Sequence, residues 1–244
     1  MSDPVVLLHA FPLDSRMWDG LRSATGDRII TPDLPGFGAA PPVGGPDLGL
    51  AAAALLDDLD RLGVERAVLG GCSMGGYVAM AVLRAAPSRV SGLVLVDTKA
   101  TADTEAAREN RVAVAARAEA EGIGWLADSM LTNLLGATTL EKRPDVEVTL
   151  RALIADQDPA AVAWAQRAMA ARPDSLDLLR ASGVPALVVR GAEDALIPRQ
   201  EAVLMADALE VELVEIAGAG HLAPLETPDE VASAVARWLA GPMP

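Results

Sequence analysis

Gly71-Cys72-Ser73-Met74-Gly75 decides how the chain is read. The five residues stand between a short apolar run, 67–72, and a stretch, 74–86, in which Val78, Ala79, Val82 and Leu83 fall at helical spacing before Pro87 stops it. A G-x-S-x-G between a strand and a helix is far more specific than the pattern alone. So sharp a turn strains the serine backbone, and glycines two residues to either side remove Cβ atoms that would collide. Ser73 Oγ is then expected at the carboxyl edge of a sheet. There the free N–H groups that open the next helix favour negative charge. The bland alternative is a Gly-rich turn carrying a bystander serine.

Outward from this unit, short Val/Leu/Ile runs at 5–9, 28–33, 92–97, 186–191 and 212–217 read as further strands. They are near-continuously apolar, as buried parallel strands are. Residues 47–62 read as a helix, with Asp47 as N-cap, Leu48, Leu55, Leu56, Leu59 and Leu62 on one face, and Gly63 just past the end. Between 98 and 182 the strand pattern lapses into helical stretches at 102–121, 123–135, 145–154 and 159–171, and strand–helix alternation then resumes. The expectation is one α/β domain over residues 1–244, its mostly parallel sheet flanked by helices, with 99–182 inserted as a helical cap.

The 244 residues carry 20 Lys and Arg against 34 Asp and Glu, a net charge of −14. That balance argues against nucleic acid or an anionic membrane surface as partner, either of which wants a basic stripe. Apolar runs such as 5–8 and 93–96 are strand-length, far below the ~18 residues of a membrane span. Residues 1–8 show neither a basic region nor a cleavable apolar one, so a cytoplasmic protein is expected. A single cysteine, Cys72, allows no intrachain disulfide and no Cys-based zinc site.

A serine hydroxyl is a weak nucleophile at neutral pH and needs a base within hydrogen-bond reach. The chain offers two histidines, His9 and His221. His9 ends the first strand, where a structural or loop-orienting role is more natural. His221 follows the last strand in Gly218-Ala219-Gly220-His221-Leu222, and elimination and position make it the base. An acid must hold its tautomer. Asp194, after the penultimate strand, is the better candidate on the chain order Ser, Asp, His. Asp97 ends its strand in an analogous place and is the rival, a capping or loop-bonding aspartate being its bland reading; Glu193 is a third option.

Four blocks now carry a family likeness: His9-Ala10-Phe11-Pro12-Leu13-Asp14, Asp33-Leu34-Pro35-Gly36-Phe37-Gly38, the elbow at 71–75, and Gly218-Ala219-Gly220-His221 with Pro224 and Glu226 after it. With Gly191, Asp194 and Pro198 they spread over nearly the whole chain, which resembles an α/β-hydrolase of the small esterase, enol-lactonase and cofactor-free haloperoxidase group. The resemblance implies Ser73 as nucleophile, His221 as base, Asp194 as acid, and the backbone N–H groups of Phe11 and Met74 as oxyanion hole. Ala10 departs from the family's commoner His-Gly. Ser73 excludes the relatives with an aspartate nucleophile, and Leu222 stands where hydroxynitrile lyases of this fold place a lysine.

Residues and resemblance together lead to the expectation of a serine hydrolase for the ester or lactone of a small, largely apolar molecule, with no metal and no organic cofactor. Trp18, Trp125, Met130 and Leu222, and also Trp164, are candidates to line the substrate pocket, ordinary core being their alternative reading. Trp238 reads as packing and Cys72 as a small core residue. Two alternatives accompany this reading: perhydrolysis, which the haloperoxidase likeness associates with Pro12, and a hydrolase-like ligand receptor of slow turnover.

Overall fold

Among the described residues, six strands form one sheet: β1 (Val5–Leu8), β2 (Ile29–Ile30), β3 (Ala67–Cys72), β4 (Val90–Val96), β5 (Ala186–Gly191) and β6 (Leu213–Ile216). The computed structural model describes residues 3–25 and 29–241. Strand order is β2-β1-β3-β4-β5-β6, and every neighbouring pair is parallel. β1, β3, β4 and β5 are buried along their whole length, which is why their sequences read as near-continuous apolar runs, Ser91 and Arg190 being the polar exceptions. β2 is shorter than the expected 28–33. Arg28 lies outside the described residues, Pro32 has no N–H to donate, and the Asp33 carboxylate accepts the N–H groups of Ser15 and Ala39.

Helices cover both faces. α1 (Asp19–Thr25) packs on the C-terminal helix, α2 (Leu48–Arg61) on α3 (Met74–Ala85), and α10 (Arg199–Leu209), α11 (Ala223–Glu226) and α12 (Pro228–Ala240) follow the last two strands. Asp47 caps α2 through the N–H of Gly49, and Gly63 takes the left-handed conformation, φ +69°, just beyond its end.

Six helices lie between β4 and β5: α4 (Glu105–Glu121), α5 (Leu126–Leu134), α6 (Ala137–Lys142), α7 (Pro144–Ala155), α8 (Pro159–Ala171) and α9 (Leu176–Ser182). α4 starts three residues later than expected because Thr104 serves as its N-cap, accepting the N–H of Ala107. Periodicity does not announce the short α6 and α9. Leu134, Leu150 and Val162 of this stretch belong to the same buried apolar cluster as the strands. Polar ties join it to the rest: Gln157 Nε2 donates to Asp14 at 2.9 Å, and the Trp164 indole N–H donates to Gly44 O at 2.8 Å.

Candidate active site

The parallel register brings the ends of β1, β3, β4 and β5 to one edge of the sheet, with Leu8 paired to Gly71, Cys72 to Val96, and Val96 to Val189. Ser73 is the first residue past β3. Its backbone has φ 51° and ψ −111°, a strained conformation for a residue with a Cβ. Val96 O accepts its N–H at 3.0 Å, and its carbonyl accepts the Thr98 hydroxyl at 2.7 Å. The flanking glycines are sterically required. A Cβ on Gly71 would stand 2.5 Å from the carbonyl carbon of Gly75, and one on Gly75 would strike the carbonyl oxygen of Leu8.

His221 and Asp194 meet in the interior, Nδ1 to Oδ2 at 3.0 Å, both side chains fully buried. Asp194 Oδ1 accepts the N–H groups of Leu196 at 2.8 Å and Ile197 at 3.0 Å, which fixes the carboxylate. Nδ1–H donating to Asp194 leaves Nε2 as the lone-pair nitrogen. That Nε2 is buried and has no hydrogen-bond partner among the described residues. Ser73 Oγ likewise bonds to none of them, so the serine and histidine are brought to one sheet edge without a direct bond. A link between their segments runs through the neighbouring thiol, Cys72 Sγ donating to His221 O at 3.5 Å.

Asp97, the rival acid, is occupied elsewhere: Oδ1 accepts the N–H of Gly191 at 2.6 Å and Oδ2 that of Ala223 at 3.3 Å. Burial, and then the neighbouring charge of Asp194, push its carboxyl well above the usual range. Glu193 bonds the N–H and hydroxyl of Thr138, at 2.8 and 2.6 Å, and so reaches α6 rather than His221. Burial foremost, and then Asp97, raise the Cys72 thiol well above its usual value, leaving an inert small core residue.

In the sequence Glu226 is visible only as part of a block. Its buried carboxylate accepts the N–H of Gly220 at 2.9 Å and that of Leu222 at 3.1 Å, the residues on either side of His221, and the N–H of Gly136 at 2.8 Å. Leu222 N–H is shared with Leu134 O at 3.2 Å. Backbones touch here: a Cβ on Gly136 would lie 2.8 Å from Gly220 N, and one on Gly220 would strike Gly136 N.

The N–H groups of Phe11 and Met74 donate to no acceptor among the described residues, although Phe11 is 5% and Met74 1% exposed. His9 orders this loop. Its Nε2 accepts the N–H of Leu34 at 2.9 Å, so Nδ1 carries the proton and donates to Ala10 O at 3.1 Å. Burial lowers its pKa below 6.5, against the Ala10 carbonyl and the charges of Asp33 and Asp14.

Trp18 and Leu222 are wholly buried, whereas Trp125 and Met130 are half-buried. The Trp125 indole donates to Gly122 O at 2.9 Å, and Arg117 lies 3.9 Å over its ring. Trp238 packs over Gly92 of the sheet. Among the described residues no cluster of His, Cys, Asp or Glu could hold a metal ion, and no helix is long and apolar enough to cross a membrane.

The sequence model of the alpha/beta hydrolase family matches residues 5–234. A thermophilic esterase from Thermogutta terrifontis, solved with malate bound, superposes with a TM-score of 0.93 at 40% identity over 98% of this chain and 90% of that one. The enol-lactonase of Burkholderia xenovorans gives 0.89 at 26% identity, covering 99% and 93% of the two chains. The pimeloyl-[acyl-carrier protein] methyl ester esterase of Aromatoleum aromaticum is 31% identical over 242 residues, 93% of this chain and 94% of that protein. A longer relative, the dihydrolipoyllysine-residue acetyltransferase component of the acetoin cleaving system of Pseudomonas putida, is also 31% identical, over 93% of this chain, and the chain spans 61% of its length. With its family pattern running from β1 into α12 over a parallel sheet and a serine elbow, the chain belongs to the alpha/beta hydrolase family.

Proposed function

We propose that the chain hydrolyses the carboxylic ester or lactone of a small, largely apolar molecule through an acyl-enzyme on Ser73. The observation that carries this reading is the buried, unpartnered Nε2 of His221, whose Nδ1 is held by Asp194. Such a nitrogen is a base without a proton, waiting for a hydroxyl. Ser73 Oγ attacks the carbonyl carbon as its proton passes to Nε2, and Asp194 stabilises the imidazolium. The oxyanion is received by the free N–H groups of Phe11 and Met74, which need no reorganisation. Collapse expels the alkoxide, which takes the proton from Nε2; in a lactone it stays tethered to the acyl group. Water, deprotonated by His221, then releases the acid. The roof over this site falls to α4–α9, with Trp125 and Met130 as the residues that tune acyl preference, and the esterase and enol-lactonase relatives support the substrate class.

Phenylmethylsulfonyl fluoride tests the assignment. Peptide mass mapping should place one sulfonyl group on Ser73, and Ser73→Ala and His221→Ala should each lower kcat on generic esters by on the order of 10⁴-fold. A label elsewhere, or none on folded protein, rejects it. Iodoacetamide should leave the protonated Cys72 untouched in the native state.

A further inference from the structure

We propose that a second ligand site, apart from Ser73, lies between α2, α3 and the end of α8, and that it takes a small aliphatic carboxylate. A cavity of about 330 Å³ opens there, within the range of ligand pockets, ~300–1,000 Å³. Ser73, Asp194, His221 and Phe11 do not line it. It begins at Tyr77, one helical turn beyond the elbow serine on α3. Its walls are Leu48, Met80, Ala81, Ala168, Ala171 and Pro173, an apolar tube suited to an alkyl chain.

Charge selects the head group. The lining carries three cations, Arg84, Lys99 and Arg172, against one carboxylate, Asp47, which is engaged in capping α2 through the N–H of Gly49. The counter-ion behind two of these cations is a single buried group, Asp103. It receives Lys99 Nζ at 3.0 Å, Arg172 Nη1 at 2.7 Å and also Arg111 Nε at 2.6 Å, three cations to one anion. Arg84 donates to neutral oxygens only, Asp174 O at 2.9 Å and Ser175 Oγ at 3.0 Å. Two further acids lie nearby: Glu201 accepts the Thr101 hydroxyl at 2.7 Å, and the Asp174 carboxylate accepts the N–H groups of Ala102 at 3.2 Å and Leu176 at 2.8 Å. Arg84, Lys99, Arg111 and Arg172 are thus balanced by Asp47, Asp103, Asp174 and Glu201, and the preference for an anion rests on the three cations that line the apolar hole itself.

The second observation is Tyr77. Arg172 stacks on its ring, 4.1 Å from the centroid, and the residue is 5% exposed, yet its hydroxyl bonds to no described residue. The hydroxyl of this cavity-lining residue is therefore free to donate to a ligand, and a carboxylate accepts it while pairing with the lining cations. At about 330 Å³ the cavity stands at the small end of ligand pockets, the scale of a small carboxylate such as octanoate.

Isothermal titration of octanoate, and of octan-1-ol as the uncharged control, into the full chain tests this. Octanoate should bind, and the alcohol at least tenfold more weakly. Tyr77→Phe should weaken octanoate by about 2- to 13-fold, the worth of one neutral hydrogen bond. Lys99→Met should weaken it by roughly tenfold or more, and Ala168→Phe should abolish binding by filling the tube while circular dichroism shows the fold retained. Tyr77→Phe removes one oxygen atom and keeps the test sound if Lys99→Met disturbs Asp103. No octanoate binding, equal binding of acid and alcohol, or affinity indifferent to Tyr77→Phe and Lys99→Met in folded proteins overturns the site. None of these outcomes bears on whether Ser73 is labelled.

Discussion

Glu226→Gln should destabilise the protein and disable His221 together. The native carboxylate serves three backbone donors: Oε1 takes Gly220 and Leu222, and Oε2 takes Gly136. A glutamine keeps its oxygen for the first two and turns its NH₂ toward the N–H of Gly136, donor against donor. Stranding one buried N–H costs about 1–3 kcal/mol, and turning the other two bonds from charge-assisted to neutral costs about 1 kcal/mol each. Losing the charge relieves Asp97, on which Glu226 acts as a repelling neighbour, and offsets part of this. The net expectation is about 2–4 kcal/mol. With a urea slope of about 3 kcal/mol/M, the unfolding midpoint should fall by about 0.7–1.3 M. Since Gly220 and Leu222 flank His221, kcat should drop more than KM rises. A midpoint within about 0.2 M of wild type, with unchanged kcat, would falsify the idea that this carboxylate holds the histidine turn.

Asp194→Asn should lower kcat by on the order of 10³–10⁴-fold, because an amide opposite Nδ1 forces the proton onto Nε2; Asp97→Asn should act mainly on stability through its bonds to Gly191 and Ala223. Equal kcat losses in steady-state assays on one ester would reverse the two roles. His9 sets a pH effect on stability. Its folded pKa is below 6.5, so the unfolded chain protonates first and stability falls as pH drops from about 6.5 toward the folded value, by up to about 1.4 kcal/mol per pH unit. Asp97, raised in the fold, acts in the opposite sense, losing stability as pH rises from about 3.9 toward its folded value. The measurement is therefore the difference between wild type and His9→Gln in urea titrations from pH 7 to 5, and parallel curves would sink it.

Strands buried on both faces were legible to the residue, as in Ala67–Cys72 and Ala186–Gly191, because apolar character dominates there, Arg190 alone interrupting the second. Edges were not. β2 ends where Pro32 and the side-chain bonds of Asp33 intervene, a competition no propensity expresses. α6 and α9, six and seven residues long, fall below the two turns over which a stripe declares itself. At the site, the steric demand behind Gly71 and Gly75 could be read from spacing, whereas the task of Glu226 could not, since its partners include Gly136, ninety positions away. The cluster on Asp103 is hidden for the same reason: Arg172 arrives from 69 residues downstream.

The glycine-to-glycine contact at Gly136 and Gly220 has a consequence for recombination between relatives. Leu134, Gly136 and Thr138 are bonded, through main-chain groups and one hydroxyl, to Leu222, Glu226 and Glu193. A chimera that exchanges the whole stretch between β4 and β5 therefore inherits half of a seam whose other half stays with the recipient. Crossovers that both fall after residue 138 and before Glu193, one within α7 and one within α9, would transplant α8 and leave that join with a single parent.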